Sequence, residues 1–339
     1  MPQLRPAGPD DATALASIAA AAFARYIPRI GRPPAPMLAD YTQVLATAEV
    51  WIAEDDGHPA GFAAIVEHDG HLLLEPLAVH PDHQGRGLGR ALLDHVEDTA
   101  RDRHLAQVRL YTHETMTENI ALYRARGYLQ TARRTEHGSP RVHLTKPLSQ
   151  ATLRTERLEL VPLGEEHLDD EAALDADPEV MRYLDRPRTR TQVEQFHAHR
   201  LDIAHRCPGF GFWAGIADDG FAGWWILEPP SRPDQGPVEG QAELGYRLQR
   251  RRWRQGLAGE GARELLRHGF ENLGLTRVFA ETMTVNTASR ATMTAIGMTY
   301  VRTFRPEEDD PRPGAEHGQV EYALTHEAWT SRGQPGPSR

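Results

Sequence analysis

From Leu88 the apolar positions Leu88, Leu92, Val96 and Ala100 fall four apart, the spacing of one helical face. Upstream, an alanine-rich stretch from Leu15 to Tyr26 favours helix. The prolines of GRPPAP, from Gly31, break it ahead of a second helix over Met37 to Ala46. Short apolar runs then predict strands at VWIAED from Val50, FAAIVEH from Phe62 and HLLLEPLAV from His71. Past the amphipathic helix come a strand at AQVRLYT, a helix at TENIALYRARG stopped by Gly127, and a strand at YLQTARRTE. Strands and helices interleaved in this way predict an α+β fold rather than a bundle or an all-β barrel.

Near Lys146 a polar joint, KPLSQAT, leads into a new strand at RLELVPL, and the order of elements starts again. Helices are expected over Glu165 to Ala176 and Arg190 to His205, then strands at GFWAGIA, FAGWWILE and AELGYRL. A helix at GEGARELLRHGFEN, a strand at RVFAETMTV, a helix at ASRATMTAIG and strands at TYVRTF and QVEYAL complete the series. Trp253 lies 169 residues after Gln84, and Gly297 lies 170 after Gly127. Two landmarks at nearly one offset indicate a duplicated domain. The expected division is 1–148, 149–330 and a disordered tail, 331–339.

Composition narrows the function. A chain of 339 residues suits two cores. No apolar run approaches the roughly 20 residues of a membrane span, and no signal peptide is expected. Cys207 is the single cysteine, so no internal disulfide forms, and a cytoplasmic protein is expected. A net charge of −10 argues against nucleic acid as a partner and suits cationic or amine substrates. The histidines are scattered; His197 and His199, two apart, face different sides of a helix, so no metal site is read.

The densest signal is HQGRGLGRALL, from His83. A strand that enters a helix through a glycine turn presents unpaired backbone N–H groups at the helix N-terminus, which suits phosphate. A dinucleotide fingerprint would need glycine at Arg90, and a P-loop would need a lysine after its last glycine; neither is present. What remains is Gln84-x-x-Gly87-x-Gly89, and, in the second half, Trp253-x-x-Gly256-x-Ala258.

On these loops, with LAVHPDHQGRGLGRALL and NIALYRARGY around the first, the chain resembles the GNAT acetyltransferases, whose loop of this kind binds the acyl-CoA pyrophosphate. The second half resembles the RimJ/RimL-type branch through TERLELVPL, ELGYRL, WRQGLAGEG, NTASRATMTAIGM and VEYAL. The resemblance implies two tandem acyl-CoA N-acyltransferase domains of three layers, each a mixed, mostly antiparallel sheet flanked by helices. It implies acetyl transfer from acetyl-CoA to a primary amine, by direct attack in a ternary complex, in a monomer or homodimer.

Residue by residue, it assigns Gln84, Gly85, Arg86, Gly87, Leu88 and Gly89 to the pyrophosphate, Leu77 and Val79 to the pantetheine arm, and Tyr123 to protonation of the departing thiolate. Met116 stands where asparagine is common, with Asn119 three residues later as the candidate cofactor contact. In the second half the counterparts are Trp253, Arg254, Gln255, Gly256, Leu257 and Ala258, with Tyr246 and Leu248 on the strand and Asn286 and Ser289 on the late helix. Met293 occupies the tyrosine position, so Ser289, or a water that it holds, is the candidate acid there.

The proton of the amine needs a base. Alternation would put Glu75 on the side of Leu77 and Val79, making it the first candidate; His113 and Glu114 are alternatives. The second half has no identified base, with Glu307 and Glu308 as options, and either Trp224 or Trp225 is expected to line the acceptor cleft. One active half with a structural copy, as in tandem acetyltransferases of the mycothiol-synthase type, and an acyl-CoA sensor without turnover stay open. The acceptor itself is set by the variable segments 27–37, 229–240 and 305–318.

Overall fold

The structure is a computed structural model that describes residues 2–68, 70–305 and 314–333. It divides into two units, Met1–Leu148 and Ser149–Arg339.

The first unit runs β1 (Gln3–Pro6), α1 (Ala12–Phe23), α2 (Ile27–Ile30), α3 (Tyr41–Thr47), β2 (Glu49–Asp55), β3 (His58–His68), β4 (His71–Val79), α4 (Leu88–Asp102), β5 (Gln107–His113), α5 (Thr117–Ala125), β6 (Leu129–Glu136) and β7 (Ser139–Pro147). Its sheet has the order β1-β2-β3-β4-β5-β7-β6. Every pairing is antiparallel except β4 with β5. One face packs on α4 and α5 through Leu92, Val96 and Ile120, and the other on α1 and α3 through Leu15, Phe23 and Tyr41.

The second unit runs β8 (Leu153–Arg154), β9 (Glu159–Pro162), α6 (Leu168–Ala176), α7 (Pro178–Met181), α8 (Arg190–Arg206), β10 (Gly211–Ala217), β11 (Gly220–Glu228), β12 (Gln241–Leu248), α9 (Leu257–Arg267), β13 (Arg277–Met283), α10 (Thr287–Ala295), β14 (Thr299–Phe304), β15 (Gln319–Thr325) and α11 (His326–Gly333). The sheet order is β14-β15-β13-β12-β11-β10-β9-β8, and again only the pair that enters and leaves the glycine-loop helix, β12 with β13, is parallel. The face under α9 and α10 holds Trp225, Leu265 and Met293; the opposite face meets α6, α7 and α8 through Leu174, Val180 and Ile203.

Several elements depart from the sequence pattern. The first helix breaks at Phe23 into a 3-10 turn and α2, ended by Gly31 in the left-handed conformation. The second starts at Tyr41, where the Asp40 carboxylate accepts the Thr42 and Gln43 N–H groups. Strands β1 and β7 were not expected. In β7 the alternating Val142 and Leu144 are buried, but polar neighbours mask them in the sequence. Residues 331–333, expected in a disordered tail, end α11, while 334–339 lie outside the described residues.

Candidate active sites

In the first unit β4 and β5 pair in parallel only as far as Leu74 with Leu110, and then part. A cavity of about 690 Å³ opens beyond that point. All of Gln84 to Arg90 line it, with Leu77, Val79, Asn119, Tyr123 and, from the 3-10 turn after α1, Tyr26. His80 donates its N–H to the Ala60 carbonyl of β3, at 2.8 Å. Alternation therefore turns the Leu77 and Val79 N–H groups to the open edge of β4, where a ligand can accept them.

The loop is held from both ends. The Gln84 amide donates to the Val79 carbonyl at 3.0 Å. Asp55, the last residue of β2, takes His83 Nδ1 and Arg86, both at 2.7 Å. Gly85 and Gly87 adopt φ of 79° and 88°, which disfavour any side chain, and a Cβ on either would project into open space. The first bond of α4 runs from Ala91 to Gly87, leaving the N–H groups of Leu88, Gly89 and Arg90 outside the helical ladder. Such a cradle suits the diphosphate of a CoA ester.

Tyr123 is buried against Tyr128, with ring centroids 5.6 Å apart, and burial pushes its phenol well above the ordinary value, so it keeps its proton. Asn119 accepts from the Tyr26 hydroxyl at 3.0 Å, tying α5 to the turn after α1.

Glu75 does not lie where alternation predicts. Ala63 faces Leu77 but Ile65 faces Leu74, so β4 carries one extra residue at Glu75–Pro76. Leu72, Leu74, Leu77 and Val79 consequently share the α4 face. Glu75 falls on the other face, near Arg141, whose guanidinium stacks 3.9 Å over Tyr111. Although exposed, its carboxyl is raised by desolvation, with Arg141 opposing and Glu136 adding to the shift. His113 engages the Thr115 hydroxyl at 2.9 Å, and desolvation holds its pKa below the ordinary value; Glu114 lies 4.0 Å from Arg133.

The second unit repeats the loop with other residues. Trp253 replaces Gln84, and its indole N–H donates to the Leu248 carbonyl at 3.0 Å, the same brace across the same interval. That shared donor accounts for two unlike side chains at one position. Arg254 takes the left-handed conformation of Gly85, with φ 58°, and Gly256 that of Gly87, with φ 80°. Asp219 of the β10–β11 turn pairs with Arg252, as Asp55 does with His83. An added clamp comes from Arg157, which donates to the Gln255 carbonyl at 3.0 Å and to Glu260 at 2.8 Å. Gln249 bonds back to Ala222 at 2.9 Å, so the N–H groups of Tyr246 and Leu248 face the open edge of β12. Leu257 and Ala258 open α9, whose first bond runs from Glu260 to Gly256.

On α10, Asn286 engages both ends of its amide within the protein: it caps Ser289 at 3.2 Å and donates to Thr282 at 3.1 Å. Ser289 meets the Tyr246 hydroxyl at 3.3 Å. Both tryptophans of β11 are buried. Trp225 fills the core under α9 and donates to the Ala258 carbonyl at 3.1 Å, whereas Trp224 packs with Phe212 beneath α8. Glu307 and Glu308 lie outside the described residues.

The sequence pattern missed three carboxylates. Glu228, Glu243 and Glu281 lie on the adjacent strands β11, β12 and β13 and share one face, opposite Leu227, Leu244 and Ala280. Burial raises Glu228 and Glu243 to about 7, and Glu243 is raised further by Glu281 and Glu228. The spacing of glutamate against buried neighbours in AELGYRL was the available signal. Among the described residues no group of three or more His, Cys, Asp or Glu could hold a metal, and no helix is long and apolar enough to cross a membrane.

The acetyltransferase (GNAT) family matches residues 16–128, and a second acetyltransferase (GNAT) domain matches residues 157–299. The FsC-acetyl coenzyme A-N(2)-transacetylase of Aspergillus fumigatus strain Af293 is 45% identical over 196 residues, which cover 56% of this chain and 83% of that protein. The chain is a GNAT acetyltransferase. It is an acyl-CoA-dependent N-acetyltransferase with acetyl-CoA as cosubstrate. The L-amino acid N-acyltransferase MnaT of Escherichia coli K12 is 32% identical over 104 residues, 29% of this chain and 59% of that protein. A solved RimL, a ribosomal L7/L12 alpha-N-protein acetyltransferase in complex with coenzyme A, aligns at 18% identity and a TM-score of 0.46, over 52% of this GNAT chain and 99% of that one.

Proposed function

We propose that this GNAT enzyme passes an acetyl group from acetyl-CoA directly to a primary amine in a ternary complex, with the first unit as a catalytic centre. The observation that carries this is the single cavity that joins the glycine loop, the free edge of β4 and the Tyr123 phenol. Acetyl-CoA supplies an activated carbonyl on a thiol leaving group. The loop N–H groups would hold its diphosphate, and the Leu77 and Val79 N–H groups would bind its arm and polarise the carbonyl.

An alkylamine of pKa about 10.4 is neutral only about once in 10³ molecules at pH 7.4, which costs roughly 4 kcal/mol. Glu75, raised by desolvation, is the base that would take the proton, and Tyr123 the acid that would return one to sulfur. They lie on opposite faces of the sheet, so one can serve the incoming amine and the other the departing thiol. Relatives named for transfer to N(2) and to L-amino acids support an amine acceptor.

A one-centre version, with the second unit a cofactor-binding copy, is favoured by Met293 standing where the first unit has Tyr123. The test is thiol release from acetyl-CoA with a panel of primary amines. Glu75→Gln and Tyr123→Phe should each lower turnover of at least one amine by about 10²-fold, with CoA affinity unchanged. Transfer by the wild-type chain to none of the amines would overturn the proposal.

A further inference from the structure

The phenol absent from α10 is present on the facing strand β12, where the Tyr246 hydroxyl reaches Ser289 of α10. The first unit has leucine on the strand (Leu77) and tyrosine on the helix (Tyr123); the second has tyrosine on the strand (Tyr246) and methionine on the helix (Met293). We infer that Glu243 and Tyr246, both on β12, are the base and the acid of a second acyl-transfer centre in this chain. The inference rests on the amine acetylation proposed above and extends it to the second unit.

Position supports it first. Parallel pairing of β12 with β13 ends at Glu243 opposite Phe279, so Glu243 sits where the strands part. Only beyond that point are the Tyr246 and Leu248 N–H groups free to meet a ligand. A thioester carbonyl held by the Tyr246 N–H would lie along the same open stretch of β12, past Glu243. Sidedness comes second. An odd separation of three residues along an unbulged strand puts the two side chains on opposite faces. Glu243 shares the face of α6 and α8, while Tyr246 packs against the α9 and α10 core and reaches Ser289. A base and an acid so divided can serve the incoming amine and the departing thiolate from separate sides of the strand. The first unit achieves this with two elements, the second with one strand.

In the step, the amine nitrogen forms a C–N bond to the acetyl carbon and its proton passes to the Glu243 carboxylate. The C–S bond breaks, and sulfur takes the proton of the Tyr246 hydroxyl. Exchange with water returns Glu243 to the carboxylate and Tyr246 to the phenol, leaving amide and CoA thiol. Ser289 is a positioning residue, its hydroxyl 3.3 Å from that of Tyr246.

The groups that face Glu243 are Glu228 on β11, Glu281 on β13, and Arg232 and Gln235 in the 229–240 loop; Gln235 donates to it at 2.8 Å. Arg232 is paired with Glu281 at 2.5 Å, and Arg200 acts on Glu228. With its carboxyl raised to about 7 by burial and by Glu281 and Glu228, Glu243 is partly ionised near neutral pH. The ionised form is the base, so transfer at this centre rises with pH through about 7.

The test uses the full chain with the first centre disabled by Glu75→Gln and Tyr123→Phe. Thiol release from acetyl-CoA with the amine panel is followed across pH, and binding of CoA and of desulfo-CoA is measured by calorimetry. Transfer to at least one amine should persist in this background. Adding Glu243→Gln should lower it about 10²-fold and remove the limb near pH 7, and adding Tyr246→Phe should lower kcat about tenfold. Tyr246→Phe should also abolish the pH-dependent preference for CoA over desulfo-CoA, because the phenol donates to the thiolate. A dead background beside an active wild type would overturn the second centre and leave the first standing. Unchanged rates in Glu243→Gln would remove it as the base. If the wild type acetylates no amine, acyl transfer and Glu243 as base both fall, and calorimetry alone decides Tyr246.

Discussion

Gly87 and Gly89 look alike in the sequence and differ in what they do. Gly87 holds φ 88° at the entrance to α4, a conformation that costs other residues about 1–2 kcal/mol. Gly89 lies inside the helix, where a Cβ would make an ordinary 3.6 Å contact with Val79, and Ala258 fills the matching place in the second unit. Gly87→Ala is therefore expected to lower stability by about 1 kcal/mol, while Gly89→Ala leaves it unchanged or raises it by up to about 1 kcal/mol. Thermal melts distinguish the two, and equal losses would refute the division. Arg254 bears the left-handed conformation without glycine; its backbone is held by the Trp253 brace before it and the Arg157 clamp after it.

Strands β11, β12 and β13 place Glu228, Glu243 and Glu281 side by side, an arrangement that separate stretches of sequence do not announce. Glu228 has a consequence that stability measurements can read. Its carboxyl is raised from 4.5 to about 7 by desolvation, against the pull of Arg200. The folded state disfavours its ionised form, so stability is lost as pH rises from about 4.5 to about 7 and stays lost above. Glu228→Gln removes that penalty. The variant should be more stable than wild type by on the order of 2–3 kcal/mol at pH 8 and equal to it at pH 4, by denaturant unfolding. An equal gain at both pH values would show that burial of the charge is not the cause. The helix-facing ion pairs differ in kind. Asp175 is fully buried, and although burial raises its carboxyl, Arg247 and Arg200 outweigh that and hold it low.

At the scale of the whole chain, two loops with the same braces and the same left-handed positions should each bind a CoA ester. Calorimetry with CoA is expected to give two equivalents per chain. Gly87→Glu and Gly256→Glu each put a carboxylate where the diphosphate would lie, and each should remove one equivalent while the other site persists. A single equivalent in the wild type would support the one-centre version.

The duplication, the order of elements and both loops were legible in the sequence, because glycine turns, apolar helical faces and strand runs are local signals read over a few residues. Glu75 shows where local reading stops. Strict alternation put it beside Leu77, and the extra residue at Glu75–Pro76, visible only in the register with β3, turns it to the opposite face. Glu243 and Tyr246 were visible as residue types, but their roles depend on where β12 parts from β13 and on which helix each side chain meets. Periodicity along one strand fixes which residues share a face. Which partner lies across that face, and how far water is kept from it, follow only when distant segments pack together.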